Sequence, residues 1–183
     1  MIGKGKSISH GVAALEYDLA KEINGQAVAT EIARHELYGC TGAEMVQEMK
    51  PYHIDFPNVK NNCLRFEVSP SIEESATFTD ADWAELGNDF MQRMGLANHQ
   101  YIIIRHSGTE SKKEQAHLHI LANRVSLSGE LYRDNWIGKK ATEAANAIAK
   151  ERNFVQSQDI GKVNKAEIKE AMDGVLKKMQ GFE

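Results

Sequence analysis

The chain is short of every feature that marks a secreted or membrane-bound protein. It has two cysteines in 183 residues, Cys40 and Cys63, far apart in sequence. So few fit free thiols in a reducing cytoplasm better than a disulfide scaffold. No stretch approaches the roughly 20 apolar residues of a membrane span. The first ten residues, Met1 to His10, are polar and glycine-rich and lack the apolar run of a secretory signal. No internal repeat or low-complexity block occurs, so the organisation has to be read from ordinary helix and strand patterns.

An excess of positive charge is missing as well. The net charge is −4, whereas phosphate binding usually leaves a basic footprint. The distribution softens that objection. Acidic residues gather from Glu73 to Glu85 and near Glu167, Glu170 and Asp173. Lys4, Lys6, Arg105, Lys112, Arg124, Lys139 and Lys140 stand apart from them. A basic face on an acidic protein reads this way, and so does a mixed, solvated surface.

What is present is enough apolar residue, 42% of the chain, for a real core. The length suits one catalytic domain, residues 1–152, with a helical extension over 153–183. Val12, Leu15, Leu19 and Ile23 recur at helical spacing, so a helix is expected from Ser9 to Ile23, stopped by Asn24-Gly25. Gln26 to Ile32 alternates like a short strand, and Thr41 to Lys50 reads as a helix. Asn62 to Ser69 alternates apolar and polar residues, the pattern of a half-buried strand. Thr79 caps a helix with the stripe Trp83, Leu86, Phe90 and Met94, which Gly95 stops. His99 to Arg105 carries an Ile run typical of a central strand covered on both faces. Ser107 to Gln115 is a polar loop, and Ala116 to Val125 is the next strand. A turn around Gly129 and helices over Trp136–Arg152 and Asn164–Met179 complete the chain. Helices mixed with hairpin-linked strands imply an α+β fold with a central, largely antiparallel sheet flanked by helices.

The informative feature is His-Leu-His at His117 and His119. Two residues apart on a strand, both imidazoles project from one face about 7 Å apart, within reach of one metal ion. His106 ends the preceding strand, and antiparallel pairing would return the chain so that it joins them. Three neutral nitrogen donors with open positions are the layout of a catalytic metal site. The same donors would serve zinc hydration chemistry, so the cluster alone does not name a reaction.

The series RFEVS, DADWAELGNDFMQRMGL, HQYIIIRH, HLHILANRV and SGELY, in that order, resembles the relaxases of mobile plasmids and transposons. These are the mobilisation branch of the His-hydrophobe-His endonucleases. The resemblance runs from Asn62 to about Arg152, and less clearly through Met1 to Glu22. It implies a relaxase palm in which His106, His117 and His119 hold Mg²⁺ or Mn²⁺. It also implies that a tyrosine on the N-terminal helix attacks the scissile phosphate, leaving a 5′-phosphotyrosine and a free 3′-hydroxyl. Tyr17, in GVAALEYDLAK, stands at that place, with His10 as a rival nucleophile. Tyr38, Tyr52, Tyr101 and Tyr132 lie elsewhere. Glu67 is a candidate acid or base, or a solvated strand residue. Asn123, Arg124, Lys112 and Arg105 are candidate DNA contacts. Asn123 reads equally as a polar residue closing its strand, and Arg124 as the partner of a surface carboxylate.

The implied partners are single-stranded DNA at a transfer origin, accessory mobilisation proteins and the transfer apparatus, with no membrane. The sequence departs from the family's pattern at Gly108, where many members carry an aspartate. The loop after His106 is also longer, and Glu110 or Glu114 are the substitutes within it. Two other functions remain open at this point: a three-histidine metallohydrolase of a small molecule, and a DNA-binding module that keeps the relaxase fold without catalysis.

Overall fold

The computed structural model describes residues 1–108 and 115–180. Its centre is a five-stranded sheet. In chain order the strands are β1 (Ile2–Ile8), β4 (Ala29–His35), β5 (Cys63–Ser69), β6 (His99–His106) and β7 (His117–Ser126). Their spatial order is β1-β5-β7-β6-β4, and every neighbouring pair is antiparallel. The expected α+β class and flanked antiparallel sheet are what the fold is.

Side chains alternate across β7, and that alternation divides the interior. Leu118, Ile120 and Ala122 face one layer, where Trp83, Leu86 and Phe90 of helix α4 (Asp80–Arg93) meet Ala141, Ala145 and Ile148 of helix α5 (Ile137–Glu151). Leu121 faces the other layer, with Leu15 of helix α1 (Gly11–Leu19) and Met45 and Met49 of helix α2 (Gly42–Met49). Burying each of the Leu, Ile, Phe and Met side chains contributes roughly 1.5–3 kcal/mol. The α4 start is a capping box: Thr79 accepts from the Asp82 amide, and Asp82 reaches back to the Thr79 amide.

Three elements before α2 differ from the sequence pattern. Helix α1 ends at Leu19 and does not run to Ile23. Asn24 and Gly25 both have positive φ, 54° and 74°, and form the turn of a small hairpin between β2 (Glu22–Ile23) and β3 (Gln26–Ala27). The single strand expected over Gln26–Ile32 is divided between β3 and β4. Strand β1 has no counterpart in the sequence reading. It is an edge strand whose Gly3 and Gly5 lie against α5, so closely that a Cβ on Gly3 would stand 2.5 Å from the Ala141 carbonyl oxygen.

A four-residue helix α3 (Ile72–Ser75) links β5 to α4. The last element, α6 (Ser157–Gln180), starts seven residues earlier than the apolar spacing indicates. No helix among the described residues is long and apolar enough to cross a membrane.

Candidate active site

The β6–β7 pairing places His106 opposite His117 and Ile104 opposite His119. All three imidazoles therefore stand on the α1 face of the sheet, as strand alternation requires. One nitrogen from each lies within 4.8 Å of the others. The ring centroids are 5.4 Å apart for His106–His117, 4.4 Å for His106–His119 and 4.9 Å for His117–His119.

The environment keeps two of these rings, His106 and His119, ready as neutral donors. Burial pulls His106 below the ordinary histidine range, against the opposing effect of its bond to the Asp18 backbone. His119 is pushed down to about 2, chiefly by burial and then by the charges of His106, His117, Arg65 and Lys21. Carbonyl oxygens only accept, and that assigns protons. His106 Nε2 donates to the Asp18 carbonyl at 2.7 Å, and His117 Nδ1 to the Gln115 carbonyl at 3.2 Å. Arg65 Nη2 faces His119 Nδ1 at 3.3 Å as a donor, so the His119 proton sits on Nε2, 3.1 Å from His117 Nε2.

Asp18 and Arg65 are the residues that sequence reasoning missed. Arg65 grips the Asp18 carboxylate with two bonds, Nε at 3.0 Å and Nη2 at 2.5 Å, and Asp18 is only 2% exposed. The same carboxylate lies 3.8 Å from His119 Nδ1. It stands beside the triad from α1, whereas the family's pattern would put an acid after His106. Glu110 and Glu114, the substitutes considered for that acid, lie outside the described residues.

Tyr17 precedes Asp18 but points outward and is 57% exposed. Its oxygen accepts from Lys21 Nζ at 2.6 Å, and the same ammonium lies 4.8 Å from the ring centroid. Lys21 also lowers, as the smallest of several causes, the proton affinity of both His106 and His119. On the other side of His119, a groove of about 190 Å³ runs to the sheet edge, lined by Lys4, Lys6, Arg65 and Glu67 among others. Glu67 is the register partner of His119 and is paired with Lys4 at 3.0 Å.

Residues 17–154 match the family described as relaxase, MobA/VirD2-like, nuclease domain. The chain belongs to this family. It is a DNA relaxase, a strand-nicking nuclease. Two solved structures of the conjugative relaxase TrwC in complex with OriT DNA are similar to it. The metal-free one has 10% identity and the metal-bound one 12%. Each has a TM-score of 0.49 and covers 87% of this chain and 70% of that chain. No curated protein matches the sequence.

The structure relocates three residues that this relaxase's sequence suggested as DNA contacts. Arg105 falls on the opposite sheet face from the triad, because it alternates with Ile104 and His106, and it pairs with Asp80 at 2.5 Å. Asn123 shares the histidine face but is fully buried. Its amide donates to Met49 O and Gln100 Oε1 and accepts from Val125 N and His53 Nε2, which leaves nothing for a ligand. Arg124 forks onto Asp134 and onto the carbonyls of Tyr132 and Asn61, and so braces the loop before α5. Lys112 lies outside the described residues.

Proposed function

We propose that this relaxase nicks one DNA strand at a transfer origin by attack of Tyr17 on the scissile phosphate. The Tyr17 oxygen forms a bond to phosphorus while the bond to the 3′-oxygen breaks. The products are a 5′-phosphotyrosine and a 3′-hydroxyl, and the phenol proton ends on the departing oxygen, directly or through Glu67. The reaction is reversible at the same residue, because one phosphodiester replaces another.

The observation that carries this reading is the docking of α1. The residue after Tyr17 accepts a hydrogen bond from His106 on its main-chain oxygen and is held by Arg65 through its carboxylate, so the helix turn that carries Tyr17 is anchored to the histidine site. The donor set fits a divalent ion held by His106, His117 and His119. Nitrogen donors suit Mn²⁺ better than Mg²⁺, which prefers oxygen. Such an ion, when bound, would polarise the phosphate and steady the charge on its oxygens. Freeing His119 Nε2 for this role moves its proton to Nδ1, which lies 3.8 Å from the Asp18 carboxylate. Lys21 stands where it meets negative charge gathering at the Tyr17 oxygen or the incoming phosphate. Lys4 and Lys6 guide the strand through the groove. Residues 1–152 act as the catalytic domain and the remainder as an extension. Accessory mobilisation proteins and a transfer apparatus are the proposed partners, in the cytoplasm.

The test is incubation with Mn²⁺ and an origin oligonucleotide, followed by denaturing electrophoresis. A protein–DNA adduct that survives denaturation is expected, and it should vanish with chelator and in His119→Ala. Cleavage without any adduct would overturn the reading in favour of a simple metal nuclease.

A further inference from the structure

The chain has two tryptophans with opposite fates. Trp83 is 2% exposed in the core, and Trp136 is 81% exposed. Trp136 also has φ of +59°, a left-handed conformation that a bulky side chain rarely adopts and that Gly or Asn would take more easily. Its indole N–H meets no acceptor among the described residues. Neither conformation nor burial gives the fold a reason for tryptophan here, and an observed outlier of this kind points to a role outside the fold.

The surroundings indicate which role. Trp136, Lys139, Lys140 and Glu143 line a shallow groove of about 280 Å³. Lys139 is loosely paired with Glu143 at 3.8 Å, both well exposed. Lys140 donates to the Arg133 carbonyl and covers the Tyr132 ring at 4.9 Å, and the Arg133 side chain is exposed. Two lysines therefore share a groove with one exposed aromatic face, with one carboxylate against them. The loop carrying the ring is held firmly by Arg124, through Asp134 and the Tyr132 carbonyl. The start of α5 also lies against the edge strand that borders the groove beside His119. Gly5 lines that groove, and a Cβ on Gly138, two residues after Trp136, would stand 3.5 Å from the Gly5 oxygen.

We infer that Trp136 is a stacking platform for one unpaired base of single-stranded DNA, with Lys139 and Lys140 holding the flanking phosphates. The strand reaches it from the groove by crossing the exposed edge of β1 past Lys4 and Lys6. An aromatic face amid lysines suits this ligand, because stacking tolerates any base and the cations follow the backbone. The inference rests on the proposed DNA path and extends it beyond the cleavage site.

The experiment titrates the full chain, without metal, with an oligothymidylate of about 16 nucleotides. Trp83 is sealed in the core, so Trp136 dominates the change in fluorescence. Quenching is expected, together with a roughly tenfold loss of affinity in Trp136→Ala and a much smaller loss in Trp136→Phe. The thermal midpoint should not fall in either variant, which separates the effect from misfolding. If Trp136→Ala binds as tightly as the wild type and DNA leaves the fluorescence unmoved, the inference is overturned, while the nicking function stands and the patch is left to a protein partner. If the wild type binds no oligothymidylate at all, the inference is overturned, and the adduct assay with the origin oligonucleotide decides the nicking function separately.

Discussion

His106 donates its Nε2 proton to the main-chain oxygen of Asp18 at 2.7 Å, one residue beyond Tyr17. A metal-site residue and the helix that carries the candidate nucleophile are thus joined by one hydrogen bond. The tyrosine must stand roughly 3–3.5 Å from phosphorus, in line with the leaving oxygen, when DNA is bound. The tie to His106 limits how far α1 can drift from that position.

Tyr17→Phe removes only the hydroxyl. The ring is exposed, so no packing is lost. Folding, Mn²⁺ binding and DNA binding should stay within about 0.5 kcal/mol of the wild type, and the covalent adduct should disappear. An adduct that persists, seen on a denaturing gel, would send the search to His10 or Tyr38.

Arg65→Ala leaves the Asp18 carboxylate buried without its partner. Removing one member of such a pair costs about 3–5 kcal/mol, and the lower end applies because Arg65 keeps about a fifth of its surface in water. Urea unfolding measures this. Adding Asp18→Asn should recover part of the loss, since the two effects are coupled. Simple additivity would argue against the pair.

Lys6→Glu, in the groove, should weaken binding of single strands and reduce the dependence of affinity on salt, because fewer counterions are displaced. Arg105→Glu, on the far sheet face, should change neither. Equal effects from the two reversals in filter binding at several salt concentrations would show that the groove is no more part of the DNA path than Arg105 is.

Stability of the metal-free protein should depend on pH with a definite sign. Burial holds His99, His106 and His119 below the value of 6.5 that they regain on unfolding. Below pH 6.5 the unfolded chain binds more protons than the folded one, so stability falls with falling pH. For His119 the fall continues toward about pH 2. Above about pH 7.5 the contribution is constant. The slope is up to about 1.4 kcal/mol per pH unit for each group. Thermal melts in EDTA between pH 7.5 and 5 check this. His99→Gln, which lies outside the triad, should give a shallower slope, and a flat profile in the wild type would contradict the argument.

Where the sequence was legible, period and spacing were the reason. The Ile run of β6 and the alternation of β7 identify two central strands, and the histidine face follows from the same period of two. Arg105 shows how adjacency misleads: it neighbours His106 in sequence and lies on the other side of the sheet. Strand β1 was not legible because its buried face is glycine. The close approach of α5 leaves no room for the apolar side chains that would announce a strand. Asp18 could not be identified because it reads as a solvated helix acid until β5 brings Arg65 beneath it. Asn24-Gly25 is ambiguous in sequence, since the same dipeptide can end a helix or turn a hairpin.

The register of β6 against β7 has a consequence for inheritance and for engineering. His106 and His117 meet because they are ladder partners, so the β6–β7 pairing sets their separation whatever the number of residues in the stretch between them. A search for kindred chains keyed to a constant number of residues between the first and second histidines would discard true relatives. A reporter domain spliced into that stretch should leave the three imidazoles where the sheet puts them.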